Sequence, residues 1–386
     1  MAQSQVAFYG HVRQYHHLQK EIDTAIHQVL ESGAYVLGPR LVQFEEELAG
    51  YCGLKEAVGV NSGTDALVMA LRALGIGAGD EVITTSNTFF ATAEAVWLAG
   101  ATPVFVDIEP KTCNIDVNLI EQAISPRTKA IIPVHLYGQP AEMRVISKIA
   151  AAHNLRVIED CAQALGARGD DFAIGELSDA VCTSFIIQKN LGCFGDGGAV
   201  ITNNSELATE IRKLRNHGSL KRSYHSVGYN SRLDELHAAV LSVKLKRLDE
   251  WNDLRRQRAS QYTAGLEKGS LKLPYVRPGF RHIFHLYIVE TEDRNNLQNY
   301  LQSQGITALT HYPLAIHQQE GFPWNYPARI SGSLEHTERS AASVLSLPMF
   351  PELRGDEADY VIEAIHSWEG LRRPSTTSGS ASSSGR

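Results

Sequence analysis

The chain has 386 residues, which is too long for one ordinary hydrophobic core and suits one large and one smaller domain. Its 43% hydrophobic and 20% charged residues are typical of a globular protein, and the net charge of −7 argues against a nucleic-acid or membrane-surface partner. Five cysteines without a C-x-x-C pair offer neither a disulfide framework nor a zinc site. No secretory leader pattern is present and no apolar run reaches the roughly 18 residues that a membrane span needs, so we expect a cytoplasmic protein.

After about residue 30 the pattern alternates between helical and strand periodicity. Helices are predicted over residues 64–74, 91–98 and 143–153. Strands are predicted over residues 82–85, 103–107, 130–134, 156–159, 181–185 and 199–202. Strands separated by helices of this length predict right-handed crossovers and a mostly parallel sheet that is covered on both faces, which is an α/β fold.

From about residue 233 the pattern changes. A long helical region over 233–267 is followed by a predicted strand (285–290), helix (294–304), strand (306–309) and a final amphipathic helix. We therefore predict a large domain over residues 30–245 and a small α+β domain over 246–372. Residues 1–29 are predicted to pack on the small domain, and the tail 373–386, rich in Ser, Thr, Gly and Ala, is predicted to be disordered.

A carboxylate directly follows the predicted strand 156–159. In open α/β sheets ligands bind beyond the carboxyl ends of the strands, where Asp160 lies. A fixed negative charge there could keep a pyridine ring protonated and so make it an electron sink. For an isolated aspartate, a helix N-cap or a surface ion pair is the more frequent role.

Lys189 follows the predicted strand 181–185 and precedes a cluster of glycines. The glycines are Gly192, Gly195, Gly197 and Gly198. Glycines permit sharp turns, so the lysine could point into a cleft, and a lysine withdrawn from water has a lowered pKa and can form a Schiff base. Taken alone, a solvated loop lysine explains the same pattern. The spacing is not the G-x-G-x-x-G of a dinucleotide site.

Small hydrogen-bonding residues open the predicted helix 64–74. The segment 61–67 reads N-S-G-T-D-A-L, and free backbone amides at a helix N-terminus favour a phosphate. Ser62 or Thr64 could equally be an ordinary N-cap without a ligand.

Together these segments resemble the sugar aminotransferases of the DegT/DnrJ/StrS type, which are pyridoxal-phosphate (PLP) enzymes of fold type I. The resemblance runs from about residue 8 to residue 370 and is strongest to the dTDP-3-keto-6-deoxyhexose 3-aminotransferases. The blocks that carry it, in the family's order and separations, are residues 36–39, 61–67, 86–93, 134–140, 159–164, 184–185, 189–192, 195–198 and 230–234. It implies a large domain with a mostly parallel seven-stranded sheet between helices, and a smaller α+β C-terminal domain.

The resemblance also implies the roles of the cofactor site. Lys189 would hold PLP as a Schiff base and act as the catalytic acid and base, and Asp160 would pair with the pyridine nitrogen. Gln163 would hydrogen-bond the phenolic oxygen, and Phe89 would stack on the ring. The residues implied around the phosphate are Gly63, Thr64, Ser184 and, from the neighbouring subunit of a homodimer with shared sites, Asn230.

The implied reaction moves an amino group from L-glutamate to a nucleotide-linked keto-sugar by ping-pong kinetics, in deoxyamino-sugar biosynthesis. His311, Tyr312 and His317 resemble a segment that contacts the sugar or diphosphate in family members that act on 3-keto sugars of dTDP. Two solvent-facing histidines on a loop explain this segment equally well. A metal role is not expected, because the spacing of the two histidines fits no helical ligand pair.

The chain departs from the family pattern at two places. Residues 186–188, Ile-Ile-Gln, replace the usual aromatic or histidine and small residues, which puts the handling of the amino donor in doubt. His237 stands where a glutamine is common. Competing hypotheses are a 4-keto-sugar nucleotide aminotransferase and a non-catalytic regulatory protein of the same fold. A sugar 3-dehydratase is opposed by Lys189, since that branch carries histidine there.

Overall fold

The structure, a computed structural model, describes residues 6–221 and 223–372, so the predicted tail lies outside the described residues. Within these residues no helix is long and apolar enough to cross a membrane. The helices are α1 (His11–Ser32), α2 (Pro39–Cys52), α3 (Gly63–Ala73), α4 (Ala91–Ala99), α5 (Ile120–Ala123), α6 (Met143–His153), α7 (Ser205–Leu214), α8 (Glu235–Leu245), α9 (Leu248–Leu266), α10 (Arg294–Ser303), α11 (Glu335–Ser343) and α12 (Gly355–Arg372). The strands are β1 (Glu56–Val60), β2 (Glu81–Thr85), β3 (Thr102–Val106), β4 (Thr128–Ile131), β5 (Arg156–Asp160), β6 (Ala180–Ser184), β7 (Gly198–Thr202), β8 (Tyr287–Glu290), β9 (Arg329–Ile330) and β10 (Val344–Leu347).

A large, mostly parallel sheet organises the molecule, which confirms the predicted α/β fold. Its strands run in the order β1-β7-β6-β5-β4-β2-β3-β9. Only β7 runs against its neighbours, and the remaining pairs are parallel. The strands β2 and β7 are buried along their whole length, because helices cover both faces of a sheet built from crossover connections.

The eighth strand of this sheet was not predicted. Strand β9 has only two residues, and it pairs with Val104 and Phe105 of β3 after the chain has left the sheet for more than a hundred residues. So short a strand carries no periodicity that a sequence pattern can reveal. The sheet therefore has the seven strands that the resemblance implies, of which β1 had not been located in the sequence, plus one edge strand from the C-terminal part of the chain.

Two other predicted elements differ from the structure. The helical region 233–267 forms two helices that break at residues 246–247, because α8 packs on α1 and α2 whereas α9 packs on α12. The predicted strand 306–309 forms only isolated bridges, with Ile306 pairing to Val6 and Leu309 to Ser346. Its two ends face different partners, so no continuous ladder forms.

A second apolar core lies in the C-terminal part of the chain. It joins α9, α10 and α12 to the two-stranded sheet of β8 and β10, and Val6 belongs to it. In contrast, Leu18 and Ile22 of α1 pack with Val240 of α8 and Trp251 of α9. The predicted boundary at residue 245 coincides with the end of α8, but the division into domains stays a prediction.

Residues 316–337, which we call the return segment, lie on the large sheet. Arg329 of β9 forms an ion pair of 2.7 Å with the buried carboxylate of Glu81 at the start of β2. The carboxylate of Asp107, which follows β3, accepts hydrogen bonds from the backbone amide and the hydroxyl of Thr337, both at 2.8 Å. These contacts attach the C-terminal part of the chain to the edge of the large sheet.

Candidate active site

A cavity of about 590 Å³ opens where the parallel strands of the large sheet end. Strand β5 ends at Asp160, β6 ends at Ser184, and the turn that follows β2 supplies Phe89. The predicted site residues that line the cavity are Gly63, Thr64, Phe89, Asp160, Gln163, Ser184, Lys189, His311 and Tyr312. The structure therefore brings these separate sequence blocks into one site.

Asp160 presents a buried carboxylate to this cavity. One oxygen accepts a hydrogen bond from the Thr92 hydroxyl at 2.9 Å, and the other accepts one from the Ala162 amide at 3.2 Å. Burial raises the pKa of Asp160, while the hydrogen bonds from Thr92 and Ala162 and the charge of Lys189 oppose that rise. These donors hold the side chain in one orientation, and its remaining lone pairs are available to a cationic ligand.

Lys189 lies on the loop after β6, with its backbone amide bonded to the Ile186 carbonyl at 2.9 Å. Burial lowers the pKa of Lys189 to about 8, and the negative charge of Asp160 limits the fall. An amine with this pKa is neutral in a substantial fraction of molecules near neutral pH. Lys189 therefore combines the nucleophilic and proton-accepting properties that the predicted chemistry needs.

The first turn of α3 forms another wall of the cavity. The Ser62 side chain caps the helix by accepting a hydrogen bond from the Asp65 amide at 3.1 Å. A Cβ atom on Gly63 would lie 2.7 Å from the Ser184 Cβ, so the absence of a side chain permits the close approach of α3 to β6. The amides of this turn, with the hydroxyls of Thr64 and Ser184 beside them, form a suitable site for a phosphate.

Gln163 connects two polar groups at the cavity wall. Its carbonyl oxygen accepts a hydrogen bond from the Tyr137 amide at 2.7 Å, and its amide nitrogen donates to the Tyr312 hydroxyl at 3.1 Å. The second amide hydrogen of Gln163 makes no hydrogen bond to the described residues and can reach a ligand oxygen. Burial lowers the pKa of His311 to about 4, so this histidine meets the cavity as a neutral ring.

Two predicted site residues lie outside the cavity of this chain. Asn230 is exposed and pairs through its backbone with Asn216. Its neighbour Ser231 bonds the Asn61 amide and the Asp65 carboxylate, so Asn230 lies near the N-terminus of α3 in space but does not line the cavity. The ring nitrogens of His317 contact Ser86 at 2.8 Å and Glu338 at 3.1 Å rather than the cavity.

Several cavity residues were not predicted. Thr92 holds Asp160, and it lies inside the block 86–93 that the sequence did reveal, although no role was predicted for it. His285 enters from the loop before β8 and bonds the Asn190 amide oxygen at 2.9 Å, while Tyr9 enters from the N-terminal segment. His285 and Tyr9 carry no local sequence signal, because distant parts of the chain bring them to the site.

A model of the DegT/DnrJ/EryC1/StrS aminotransferase family matches residues 16–366. The chain belongs to this family. It is 48% identical over 356 residues to a dTDP-3-amino-3,4,6-trideoxy-alpha-D-glucose transaminase of Streptomyces venezuelae, covering 92% of this chain and 93% of the relative. It is also 48% identical over 357 residues to a Pleiotropic regulatory protein of Geobacillus stearothermophilus, covering 91% and 95%. Its fold matches the crystal structure of S. venezuelae DesV in complex with a ketimine intermediate, with a TM-score of 0.91, 46% identity and coverage of 95% and 98%.

As a member of the DegT/DnrJ/EryC1/StrS family the chain is an aminotransferase of sugar nucleotides, and its cofactor is PLP. The cavity offers a complementary group for each polar part of that cofactor. The turn at Gly63 and Thr64 suits the phosphate, Asp160 the ring nitrogen, Gln163 the phenolic oxygen and Lys189 the aldehyde carbon. The residues present therefore fit the cofactor of the family.

The departure from the family pattern at residues 186–188 also reaches the cavity. Ile186 and Gln188 both belong to its lining, in the loop that leads into Lys189. Ile186 adds apolar surface, and the exposed Gln188 adds an amide without a hydrogen-bond partner in the described residues. The aminotransferase thus keeps its lysine but changes the surface beside it.

The lysine pKa predicts how cofactor loading depends on pH. The rate at which the cofactor-free protein combines with PLP should rise with pH through a midpoint near 8, because the predicted Schiff base forms from the neutral amine of Lys189. Asp160→Asn should move this midpoint to lower pH, because the Asp160 charge stabilises protonated Lys189. Stopped-flow absorbance measures both, with a free lysine analogue of pKa about 10.4 as the reference reaction. A midpoint that Asp160→Asn moves upward would contradict the assigned charge coupling.

The close packing behind α3 predicts a strong glycine effect. A Cβ on Gly198 of β7 would clash with the Ser62 carbonyl oxygen and lie 2.7 Å from the Gly63 amide nitrogen. We expect Gly198→Ala to lower the free energy of unfolding by about 1–3 kcal/mol. It should also weaken PLP binding, because the backbone amides at the start of α3, where the phosphate is predicted to bind, must shift. Gly50 of α2 has no neighbour within 4 Å, so Gly50→Ala is the matched control and should stabilise by up to about 1 kcal/mol. Thermal unfolding and PLP titration decide between these outcomes.

Proposed function

We propose that the enzyme transfers an amino group from L-glutamate to a dTDP-linked 3-keto-6-deoxyhexose by a ping-pong mechanism, in deoxyamino-sugar biosynthesis. The convergence of Lys189, Asp160 and the first turn of α3 on one cavity carries the proposal for the amino transfer. The acceptor is inferred from the S. venezuelae relative, which is named for a 3-amino sugar of dTDP. His311 and Tyr312 line the same cavity and supply polar groups that can contact the sugar.

Lys189 is the proposed catalytic residue. When bound, PLP supplies an electron-withdrawing ring that takes up the electron pair left when the donor's α C–H bond breaks. The neutral Nζ of Lys189 accepts the proton from the donor's α carbon as a base. The protonated Nζ then acts as the acid that gives this proton up later in the reaction. Burial lowers the pKa of Lys189 to about 8, which lets the same group act in both directions near neutral pH.

The surrounding residues hold the reactants and set the charge. Asp160 keeps a negative charge at the ring nitrogen, with its orientation fixed by Thr92. Phe89, with 56% of its surface exposed, offers a ring face for stacking, and its ring centroid lies 5.8 Å from that of Tyr312. Gln163 is held by Tyr137 and can orient the phenolic oxygen. These groups need not move during the reaction.

The first experiment is a visible spectrum of the purified enzyme with and without L-glutamate. A band at about 410–420 nm that shifts to about 330 nm establishes amino transfer from glutamate to the cofactor. The converted enzyme is then mixed with 3-keto and 4-keto sugars of dTDP and of UDP, and recovery of the first band identifies the acceptor. A 4-keto acceptor or a UDP sugar overturns the substrate that we propose.

The competing hypothesis from the sequence is a non-catalytic regulatory protein, and the aminotransferase relatives count against it. It is favoured by the Geobacillus relative named as a regulatory protein and by the altered residues 186–188 beside the lysine. It is opposed by the retained Lys189 and Asp160 in a formed cavity. A protein that binds PLP but responds to no amino donor in the spectral experiment would favour it.

We also propose a homodimer in which the partner's copy of Asn230 completes the phosphate site. Two segments that adjoin α8 support this proposal, since each exposes apolar side chains. The first bonds α8 through the Tyr35 carbonyl and the Glu235 amide at 3.2 Å, and the second precedes Asn230. The exposed side chains are Tyr35, Val36, Leu220, Tyr224 and Val227. Such exposed apolar surface is typical of an interface.

Mixing two variants that are each impaired in amino transfer tests whether residues of both subunits form one site. Lys189→Ala and Asn230→Ala should each be impaired, but hybrid dimers should contain one site with both native residues and regain part of the activity. Light scattering gives the oligomeric state, and amino transfer after mixing reports the formation of hybrid dimers. A monomer in solution, or hybrids without any gain, would exclude a site completed by the partner.

A further inference from the structure

The return segment touches the turn that carries the proposed stacking residue. His317 lies in a single helical turn, Ile316–Gln318, with 10% of its side chain exposed, under the end of strand β2. The Ile316 amide donates to the Ser86 carbonyl oxygen at 3.1 Å, and the His317 amide donates to the Ser86 hydroxyl oxygen at 3.1 Å. Ser86 is therefore held through both its backbone and its side chain.

Both ring nitrogens of His317 have a hydrogen-bond partner. The Ser86 hydroxyl oxygen accepts from the His317 amide, and its hydrogen can be donated to His317 Nδ1, 2.8 Å away. Nε2 then carries the ring hydrogen and donates to the Glu338 carboxylate at 3.1 Å. The His317 ring thus connects exposed Glu338 to buried Ser86.

Ser86 begins the turn that leads into the cavity. Two residues later the Thr88 hydroxyl bonds the Thr92 hydroxyl at 3.0 Å, and Thr92 bonds Asp160 at 2.9 Å. Phe89, the next residue, presents its ring to the cavity. A shift of Ser86 would therefore move both the aromatic ring and the threonine pair that orients the carboxylate.

The arrangement of Ser86, His317 and Glu338 does not form a nucleophile. Ser86 has no exposed surface and does not line the cavity, so no substrate reaches its hydroxyl. His317 likewise has both ring nitrogens occupied and lies outside the cavity lining. The contact serves the geometry of the neighbouring turn rather than a bond to substrate.

We propose that His317 is a positioning residue, which holds the turn at Ser86 so that Phe89 and the Thr88–Thr92 pair are placed for the cofactor. The proposal rests on the proposed function of the site but not on the identity of the sugar. It replaces the sequence-based prediction that His317 contacts substrate. The bond from Ser86 to His317 Nδ1 is the essential one, and the bond to Glu338 supports the tautomer.

Four variants test this role. His317→Leu removes the acceptor, whereas His317→Asn keeps an acceptor oxygen at about the position of Nδ1. Ser86→Ala removes the same hydrogen bond from the other side, and His153→Leu on α6 is the control for loss of a partly exposed histidine. Each is measured for the visible circular dichroism of bound PLP, the affinity for PLP, the rate of the donor half-reaction and KM for the acceptor.

We expect His317→Leu and Ser86→Ala to weaken the circular dichroism and to slow the donor half-reaction by about tenfold, the effect of one lost hydrogen bond on a positioned group. KM for the acceptor should change less than about twofold, because the contacts that bind the acceptor are left unchanged. His317→Asn should recover most of the signal, and the double variant His317→Leu/Ser86→Ala should be no worse than either single variant.

Two results would overturn the proposal. Unchanged circular dichroism and rate in both His317→Leu and Ser86→Ala would remove the positioning role. A raised KM for the acceptor with unchanged circular dichroism would show direct substrate contact. If His317→Leu does not fold, His317→Asn and Ser86→Ala decide the question. Failure of the wild type to use glutamate or the sugar rejects the proposed function, whereas the dichroism and PLP affinity still report on His317.

Discussion

Lys189→Ala should lower the rate of amino transfer by about 10³–10⁴-fold, the largest effect that we expect from a single substitution. The variant loses the group that we propose to hold the cofactor and to move the proton. Lys189 is the one lysine among the described residues that line the cavity. It is buried there near Asp160. The visible band of the enzyme should move to that of free PLP, and the rate is measured in single-turnover experiments with glutamate.

Chemical rescue and labelling make this result specific. Small amines added to Lys189→Ala should restore part of the activity, since they replace the missing proton carrier. Borohydride treatment of the wild type should attach the cofactor to the peptide that contains Lys189, as mass spectrometry can show. Lys246→Ala, which changes an exposed lysine, is the control. Attachment at any other lysine would refute the assignment.

Asp160→Asn should slow the donor half-reaction by about 10²–10³-fold, the usual effect of losing one preorganised electrostatic partner in a site. The asparagine keeps the size of the side chain and its bond to Thr92 but removes the charge that we propose to pair with the ring nitrogen. PLP should still bind, because the phosphate site and Lys189 are unchanged. Stopped-flow absorbance separates the rate from the affinity.

Thr92→Val tests how much the orientation of the Asp160 carboxylate, as distinct from its charge, contributes to the rate. It removes one hydrogen bond to Asp160 but leaves the charge, so we expect a loss of about tenfold, in line with one net hydrogen bond. An effect of Thr92→Val as large as that of Asp160→Asn would show that orientation rather than charge governs the reaction. No effect of Asp160→Asn would remove the carboxylate from the mechanism.

Most of the sheet could be predicted because its strands are short, buried and apolar, with turn residues between them. The helix over residues 143–153 was predicted with the bounds that the structure shows. The break between α8 and α9 could not be predicted, because both helices consist of good helix formers and only their packing partners differ. The same holds for β9, whose two residues pair only because the return segment reaches β3.

For the site, the sequence revealed residues that stand at the ends of strands or helices. Asp160 and Ser184 end strands and Gly63 begins a helix, so local patterns place them at the ligand edge of the sheet. His285 and Tyr9 depend on how distant segments fold back, which no local pattern contains. The roles of Asn230 and His317 stay predictions. The role of Asn230 depends on a second subunit, and the role that we propose for His317 is to hold a neighbouring turn.

The return segment also has a consequence for synthesis on the ribosome. Strand β7 ends at Thr202, and β9 begins 127 residues later at Arg329. At a synthesis rate of about 5–20 residues per second, the edge strand is therefore made roughly 6–25 s after the rest of the large sheet. During that interval β3 is an open edge, which can pair with another nascent chain. Strand β3 has five residues and includes Pro103, which has no amide hydrogen to donate. The brevity of the strand and this proline are the protection that the unfinished protein carries until its own C-terminal part arrives.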